Sequence, residues 1–287
     1  MKKMKLWVYM ILIVFIIAVL PSAALAEDAE ASGIIFLGKE LSGDGYYFED
    51  NGHLLCSDEV PEGKGYLHLN GSTLTLHDFV FQPLAYEIAS IVDAGSLRPE
   101  EVVLVVNGSV ELVLDGNNTF GNENELFPGG IVLPESGSAI TISGNGSMRI
   151  FTSGYGIYGP GSVTMRSGSV ELIQTEITND MDKEYSVGSF TQSGGNYASV
   201  IKGDYGVALK TDNLQLSGGT LDLYSNESGL ECDVSMNISG GTLNIISDYF
   251  ALVFGNERFS GTDMTISGGT CEDMVWEPGI RWSAILL

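Results

Sequence analysis

Basic residues are scarce in this chain of 287 residues: 13 Lys and Arg stand against 37 Asp and Glu, which gives a formal net charge of −24. So negative a chain argues against nucleic acid or an anionic membrane surface as a partner. Proline is also rare, at 8 residues, whereas glycine is abundant at 37 and 44% of residues are hydrophobic. The glycines have no three-residue period, which excludes collagen, and the apolar content excludes a disordered chain. A turn-rich globular protein remains.

Cysteine is rare as well, with Cys56, Cys232 and Cys271 as the three in the chain. Three cysteines cannot all pair within one chain, so disulfides do not define the fold. Cys232 and Cys271 fall at inward positions of the repeat described below, which suits small buried apolar residues. A disulfide among the three is the alternative, and the sequence does not place it.

Long hydrophobic runs are absent apart from one near the N-terminus. Three lysines precede an uncharged stretch from Leu6 to Leu20, and Ala24-Leu25-Ala26 follows. This order predicts a secretory signal peptide over residues 1–26, with an uncleaved membrane anchor as the alternative. The mature protein is then expected to be secreted, without a membrane partner, and three charge units more negative.

A short motif recurs through the rest of the chain. Each copy alternates apolar and polar residues, turns at a glycine and alternates again, and successive turns are 22 to 28 residues apart. A period of two residues indicates β-strands, and copies at this interval indicate a solenoid. The clearest copies are Leu214–Leu223, Met236–Ile245 and Met264–Thr270, and looser copies precede them at Leu112–Thr119, Ile140–Ile150 and Val163–Leu172.

The repeat predicts an all-β fold, a parallel β-helix of about seven or eight coils with terminal caps. Tyr66 to Phe81 is predicted to be the first full coil, and Ile34–Leu37 and Tyr46–Phe48 are predicted to be short strands that cover the N-terminal end. The predicted parts are a signal peptide at 1–26, an N-terminal cap region at 27–64, a β-helix at 65–273 with a helical excursion at 84–95, and a C-terminal cap or tail at 274–287.

Strand alternation also assigns the core. The Gly-Gly pairs are expected to supply positive φ at one corner of each coil, so Gly218→Val and Gly240→Val are expected to destabilise the protein. The predicted inward residues are Leu67, Leu69, Leu74, Leu76, Ile140, Ile142, Met148, Ile150, Val163, Met165, Val170, Leu172, Leu214, Leu216, Leu221, Leu223, Met236, Ile238, Leu243, Ile245, Met264 and Ile266.

Four features together resemble one protein family: Val110–Thr119, Ile140–Ser147, Gly156–Gly159 and the Ser-Gly-Gly-Thr copies. They resemble secreted clostridial β-helix proteins described as carbohydrate-binding, over about residues 65–273. The resemblance implies a right-handed, single-stranded parallel β-helix without catalytic activity, with bound calcium and affinity for polygalacturonate and cellulose. No family ligand residue is matched to a position in this chain.

Motifs of the enzymes that use this architecture are missing. The Asn-Thr-Asp, Asp-Asp, Gly-His-Gly and Arg-Ile-Lys motifs of polygalacturonases do not occur. A uronate lyase needs a basic side chain beside a calcium-held carboxylate, and Arg149 and Arg166 are the arginines within the regular coils. The histidines His53, His68 and His77 all precede those coils and suggest a structural or surface role. The sequence predicts a protein that is not an enzyme, with a pectate lyase-like activity as an alternative.

Calcium is the predicted cofactor. Asp115 and Asn117 offer oxygen ligands in one tight turn, although Asx side chains also close such turns by bonding the backbone. Glu171 and Asp222 lie in a predicted outward column, Arg149, Glu171, Ala198, Asp222, Asn244 and Glu272. The predicted metal ligands are therefore Asp115, Asn117, Glu171 and Asp222.

Four tyrosines each precede the first apolar pair of a coil, namely Tyr155, Tyr185, Tyr205 and Tyr249. Aligned along one edge and exposed, they would form a carbohydrate-binding ladder that stacks on sugar rings. The alternative is an inward aromatic stack, because Tyr155 shares its parity with Ile157.

These patterns predict a secreted, non-catalytic protein that binds a cell-wall or plant polysaccharide. The glycan is either acidic, such as polygalacturonate bridged by calcium, or neutral and engaged by the tyrosines. A structural or adhesive surface protein with a protein partner is a further alternative.

Overall fold

The computed structural model describes residues 33–51, 53–82, 101–175, 186–203, 206–248 and 250–255, and the backbone of 263–266 and 270–272. These residues form an all-β protein, a β-solenoid of about six turns. In the described ranges, no helix has the length and hydropathy to cross a membrane. The predicted signal peptide, helical excursion and C-terminal cap lie outside the described residues.

The strands are short at the N-terminal end, and several later ones bend around corners of the solenoid. In chain order they are β1 (Ile34–Phe36), β2 (Lys39–Glu40), β3 (Gly45–Asp50), β4 (His53–Ser57), β5 (Tyr66–Asn70), β6 (Thr73–His77), β7 (Val80–Phe81), β8 (Val102–Val106), β9 (Ser109–Asp115), β10 (Asn117–Phe120), β11 (Phe127–Val132), β12 (Ala139–Gly144), β13 (Ser147–Met165), β14 (Ser169–Gln174), β15 (Val187–Ile201), β16 (Val207–Ser225), β17 (Ser228–Ser247), β18 (Phe250–Phe254), β19 (Asp263–Ile266) and β20 (Thr270–Glu272).

Parallel pairing stacks these strands into three faces. One stack runs β6–β9–β12–β13–β15–β16–β17–β19. A second runs β7–β10–β13–β14–β15–β16–β17–β20. The third contains β8–β11–β13 and, further along, β16–β17–β18. The long strands β13, β15, β16 and β17 take part in more than one stack, as expected for coils of a parallel solenoid.

The N-terminal end is antiparallel. Four strands pair antiparallel in the spatial order β4–β3–β5–β6, and β1 pairs with both β2 and β8. The predicted short strands near the N-terminus are therefore confirmed. The prediction that Tyr66 to Phe81 forms a full coil is wrong, because β5 and β6 form a hairpin whose two-residue turn contains Gly71 at φ 58°. A two-residue turn returns the chain beside itself and cannot carry it around a coil.

The core occupies the inside of the solenoid, as the alternation predicts. Every predicted inward side chain that the structure describes is at most 2% exposed. Met264 and Ile266 lie where only the backbone is described. Each buried aliphatic side chain contributes about 1.5–3 kcal/mol, so the stacked inward columns supply the main stabilisation of the fold.

Glycine pairs form one corner of the solenoid. Positive φ belongs to the second glycine of each pair, with Gly219 at 81° and Gly241 at 82°. The sequence-based prediction had assigned positive φ to the glycine pair as a whole. At Gly218 and Gly240 the constraint is different, because a Cβ would lie 2.5 Å and 2.6 Å from a backbone carbonyl oxygen of the preceding coil. Both glycines are therefore required, for separate reasons.

Candidate functional site: a polar face with an aromatic end

One face of the solenoid carries a continuous row of polar side chains. The row lies on the first stack, where from β9 onward one outward residue stands between two inward residues of each strand. Register pairing aligns these residues across neighbouring strands, at the strand spacing of about 4.8 Å. Glu111 is the one charged side chain in the row within the described ranges. We call this the central row: Thr73, Glu111, Thr141, Thr164, Thr191, Gln215 and Asn237.

A second row lies beside the central row, two residues earlier in each strand. It consists almost entirely of Ser and Asn, and one internal bond fixes part of it: the Ser235 hydroxyl donates to Asn213 Oδ1 at 2.7 Å. We call it the flanking row, and the two rows together the polar face. The flanking row contains Ser109, Ala139, Ser162, Ser189, Asn213 and Ser235.

The central row has hydrogen-bonding capacity that the protein does not use. Glu111 accepts a bond from the Ser143 hydroxyl at 3.3 Å. Hydroxyl and amide groups both donate and accept, so unused ones suit a ligand rich in hydroxyl groups. In the part of the chain that the structure describes, no side-chain hydrogen bond is made by Thr141, Thr164, Thr191, Gln215 or Asn237.

The same sheet surface ends in a cluster of four rings on β3, β5 and β6. Tyr46 stacks on His68 with centroids 4.3 Å apart, and Tyr66 stacks on His77 at 4.8 Å. Tyr46 and Tyr66 meet edge to face at 5.4 Å, which joins the two stacks. We call Tyr46, Tyr66, His68 and His77 the ring array. It continues the outward surface of the polar face across the antiparallel cap.

Asp115 ties the ring array to the solenoid. Its Oδ2 atom lies 2.7 Å from Nδ1 of His77, across the pairing of β6 with β9. Burial, the neighbouring Tyr46 and the Asp115 carboxylate raise the pKa of Tyr66. The Tyr66 hydroxyl therefore stays protonated at neutral pH and can donate as well as accept a hydrogen bond.

Hydrogen bonds hold the turn that contains two predicted calcium ligands, and one of them, from Asn118, is the local Asx contact that the alternative expected. The Asn117 backbone N–H donates to Asp78 Oδ1 at 2.8 Å, and Asn118 Nδ2 donates to the Asp115 carbonyl at 3.2 Å. Asn117 Oδ1 also accepts a bond from the Ser147 hydroxyl at 3.0 Å. The turn thus has a structural role, and calcium binding by Asp115 and Asn117 stays a prediction.

The predicted outward column is confirmed in its register, from Arg149 through to Glu272. Glu171 pairs with Arg149, and Asp222 accepts a bond from Asn244 Nδ2 at 2.7 Å. Within the described ranges, no three His, Cys, Asp or Glu side chains are grouped so as to hold a metal ion. Calcium binding by Glu171 and Asp222 also stays a prediction.

The predicted tyrosine ladder is described at one of its four members. Tyr155 is 8% exposed, and its ring lies 5.5 Å from that of Tyr158. This burial agrees with the inward alternative for Tyr155. Tyr185, Tyr205 and Tyr249 lie outside the described residues.

The central row and the ring array were not singled out from the sequence. The signal for the row is the polar residue between each inward pair, as in Ile140-Thr141-Ile142 and Leu214-Gln215-Leu216. The ring array depends on antiparallel pairing across the turn at Gly71. The predicted coil over Tyr66 to Phe81 does not place Tyr66 opposite His77, so the contact between the two rings could not be foreseen from it.

No protein-family model matches the chain, and neither a curated protein nor a solved structure matches it. Function is therefore inferred from the residues and geometry above.

Proposed function

We propose that this protein is a non-catalytic polysaccharide-binding protein that holds an extended neutral glycan along the polar face. The observation that carries the proposal is the central row, five consecutive uncharged side chains in register whose hydrogen-bonding groups have no partner in the described protein. The resemblance to carbohydrate-binding β-helix proteins supports the same class of function.

A neutral polymer suits the charge of the protein. The chain carries −24, so a polyanion approaching without a counter-ion is repelled. Each hydroxyl contact adds a net contribution of about 0.5–1.5 kcal/mol, so useful affinity requires several coils to act together. We therefore expect affinity to rise with the length of the oligosaccharide.

The ring array extends the binding surface at the N-terminal end. Its rings stack on one another, so they offer a ligand their edges, the tyrosine hydroxyls and the imidazole nitrogens. Such amphipathic groups combine apolar contact with a polar tip. A glycan lying on the polar face reaches the array without leaving the sheet.

The finer features of the fold belong to the same proposal. A right-handed, single-stranded β-helix is supported by the strong preference for right-handed crossovers between parallel strands. Seven of the predicted seven or eight coils are supported by the seven strands of the first stack that follow the β5–β6 hairpin. Action outside the cell is supported by the signal-peptide pattern at residues 1–26.

Calcium-assisted binding of an acidic glycan is the second form of the proposal. Glu171 and Asp222 share one outward column, separated by Ala198. A calcium ion bound by these carboxylates and by a carboxylate of the glycan would offset the repulsion between the acidic protein and the acidic glycan.

A binding panel tests the proposal. The full chain is titrated by calorimetry with xyloglucan and hydroxyethyl cellulose, and with polygalacturonate in calcium and then in chelator. Binding to a neutral polymer in both buffers is the expected result. Binding to polygalacturonate alone, abolished by chelator, replaces the neutral form with the acidic one. No binding to any polymer overturns the proposed function, and release of unsaturated sugars, read by ultraviolet absorbance, overturns the absence of catalysis.

A further inference from the structure

Basic side chains in the described ranges almost all have partners inside the protein. Of six such residues, Arg166 alone makes neither an ion pair nor a side-chain hydrogen bond there. The partnered contacts are Lys64 with Asp50 at 2.6 Å, Lys202 with Glu123 at 2.9 Å, Lys210 with Glu231 at 3.6 Å, Arg149 with Glu171, and Lys39 Nζ with the Leu54 carbonyl at 2.8 Å.

An unpaired arginine is unexpected in so acidic a chain. Carboxylates outnumber basic residues 37 to 13, so an arginine that serves folding finds an acidic partner easily. Glu111, the charged residue of the central row, accepts a hydrogen bond from the Ser143 hydroxyl. The guanidinium donors of Arg166 are therefore unused within the described part of the protein.

Arg166 lies beside the central row, at the edge of the polar face. It follows Met165 at the end of β13 and is exposed. Its backbone N–H donates to the Ile142 carbonyl at 2.9 Å, which continues the register of β12 with β13 and sets Arg166 beside Ser143. Thr164 of the central row lies two residues away on the same outward side.

The chemistry of the guanidinium selects the kind of ligand group. It presents N–H donors in a fixed planar fork that fits two oxygen atoms side by side. On a neutral glycan, that pair is two adjacent hydroxyl groups of one sugar. One guanidinium does not reverse the repulsion of a −24 chain for a long polyanion, so a neutral diol is the favoured partner.

We propose that Arg166 is the specificity-determining residue of the polar face, donating paired hydrogen bonds to adjacent hydroxyl groups of a neutral polysaccharide. This inference rests on the proposed function and adds to it the residue that orients the glycan. The central row then supplies contacts along the polymer, and Arg166 fixes its register.

Charge-matched variants test the assignment. Arg166→Gln and Lys202→Gln each remove one positive charge, but Lys202 pairs with Glu123 and lies away from the first stack. Arg166→Lys keeps the charge and loses the fork. Calorimetry with xyloglucan and hydroxyethyl cellulose, with polygalacturonate as the charged comparator, measures binding, and chemical unfolding checks that each variant is folded.

The expected result is a loss of about tenfold or more in affinity for the neutral polymers in Arg166→Gln. Lys202→Gln is expected to bind as the wild type does, and Arg166→Lys is expected to recover only part of the loss. Wild-type binding that Arg166→Gln leaves unchanged overturns this inference alone. An effect confined to polygalacturonate overturns the neutral diol as partner, and absence of wild-type binding overturns the proposed function together with the inference.

Discussion

Tyr46 and His68 stack face to face across the β3–β5 pair, with ring centroids 4.3 Å apart and planes 13° apart. This contact ties the antiparallel cap together on its outward side, while Tyr47 fills the inward side. The cap and the candidate binding surface are therefore built from the same strands.

Removing the Tyr46 ring is expected to destabilise the cap. An aromatic pair contributes about 0.5–1.5 kcal/mol beyond its buried area, so Tyr46→Ala should lower the free energy of unfolding by at least that amount. Tyr46→Phe keeps the ring and should leave stability nearly unchanged. Urea unfolding followed by circular dichroism makes the comparison, and equal stability of the two variants would contradict the role of the stack.

The glycine corner gives a second prediction, with a control from the same chain. Gly219 has φ 81°, and a Cβ there would collide with the Gly195 carbonyl oxygen. Gly219→Ala should therefore cost more than the about 1–3 kcal/mol of a strained backbone alone. At Gly137 a Cβ meets nothing within 4 Å, so Gly137→Ala should be nearly neutral. Similar unfolding midpoints for the two variants would refute the steric account.

Two cysteines should differ in reactivity. Cys56 is exposed and Cys232 is buried, and burial raises the pKa of the Cys232 thiol to about 11. The thiolate is the reactive form, so iodoacetamide at neutral pH should modify Cys56 and spare Cys232 until the protein is unfolded. Peptide mass mapping measures both sites. Rapid modification of Cys232 in the folded protein would contradict its burial.

Alkaline pH should unfold the protein through its buried phenols. Burial raises the pKa of Tyr197, so the folded state favours the neutral phenol. The resulting stability is fully present below the ordinary tyrosine pKa of 10.0 and is lost as the pH rises above it towards the raised pKa of the folded state. Tyr197→Phe removes this effect and should move the alkaline unfolding midpoint upward. An unchanged midpoint in Tyr197→Phe would refute the prediction.

The core was predictable from the sequence because burial repeats with period two. Ile142 and Leu216 occupy the same alternating position in two copies of the repeat, and both are 0% exposed. The hairpin of β5 and β6 was not predicted, because its leucines alternate with polar residues just as they would in a coil. Only the tight turn at Gly71 distinguishes a hairpin from a coil there.

The candidate site was harder to predict than the core. Outward residues carry no burial signal, so the column after the glycine corner and the row before it look alike in sequence. In the outward column, Glu171 pairs with Arg149 and Asp222 bonds to Asn244. In the central row, by contrast, the Thr164 side chain has no partner in the described protein. That difference lies in side-chain geometry.

The most direct test of the polar face compares two isosteric double variants. Thr164→Val with Thr191→Val removes two hydroxyl groups from the central row, and Thr220→Val with Thr242→Val removes two from the second stack. Valine keeps the β-branched shape that suits a strand. Calorimetric titration with xyloglucan should show affinity about tenfold lower for the first pair and unchanged for the second. Equal affinities for the two pairs would contradict binding along the polar face.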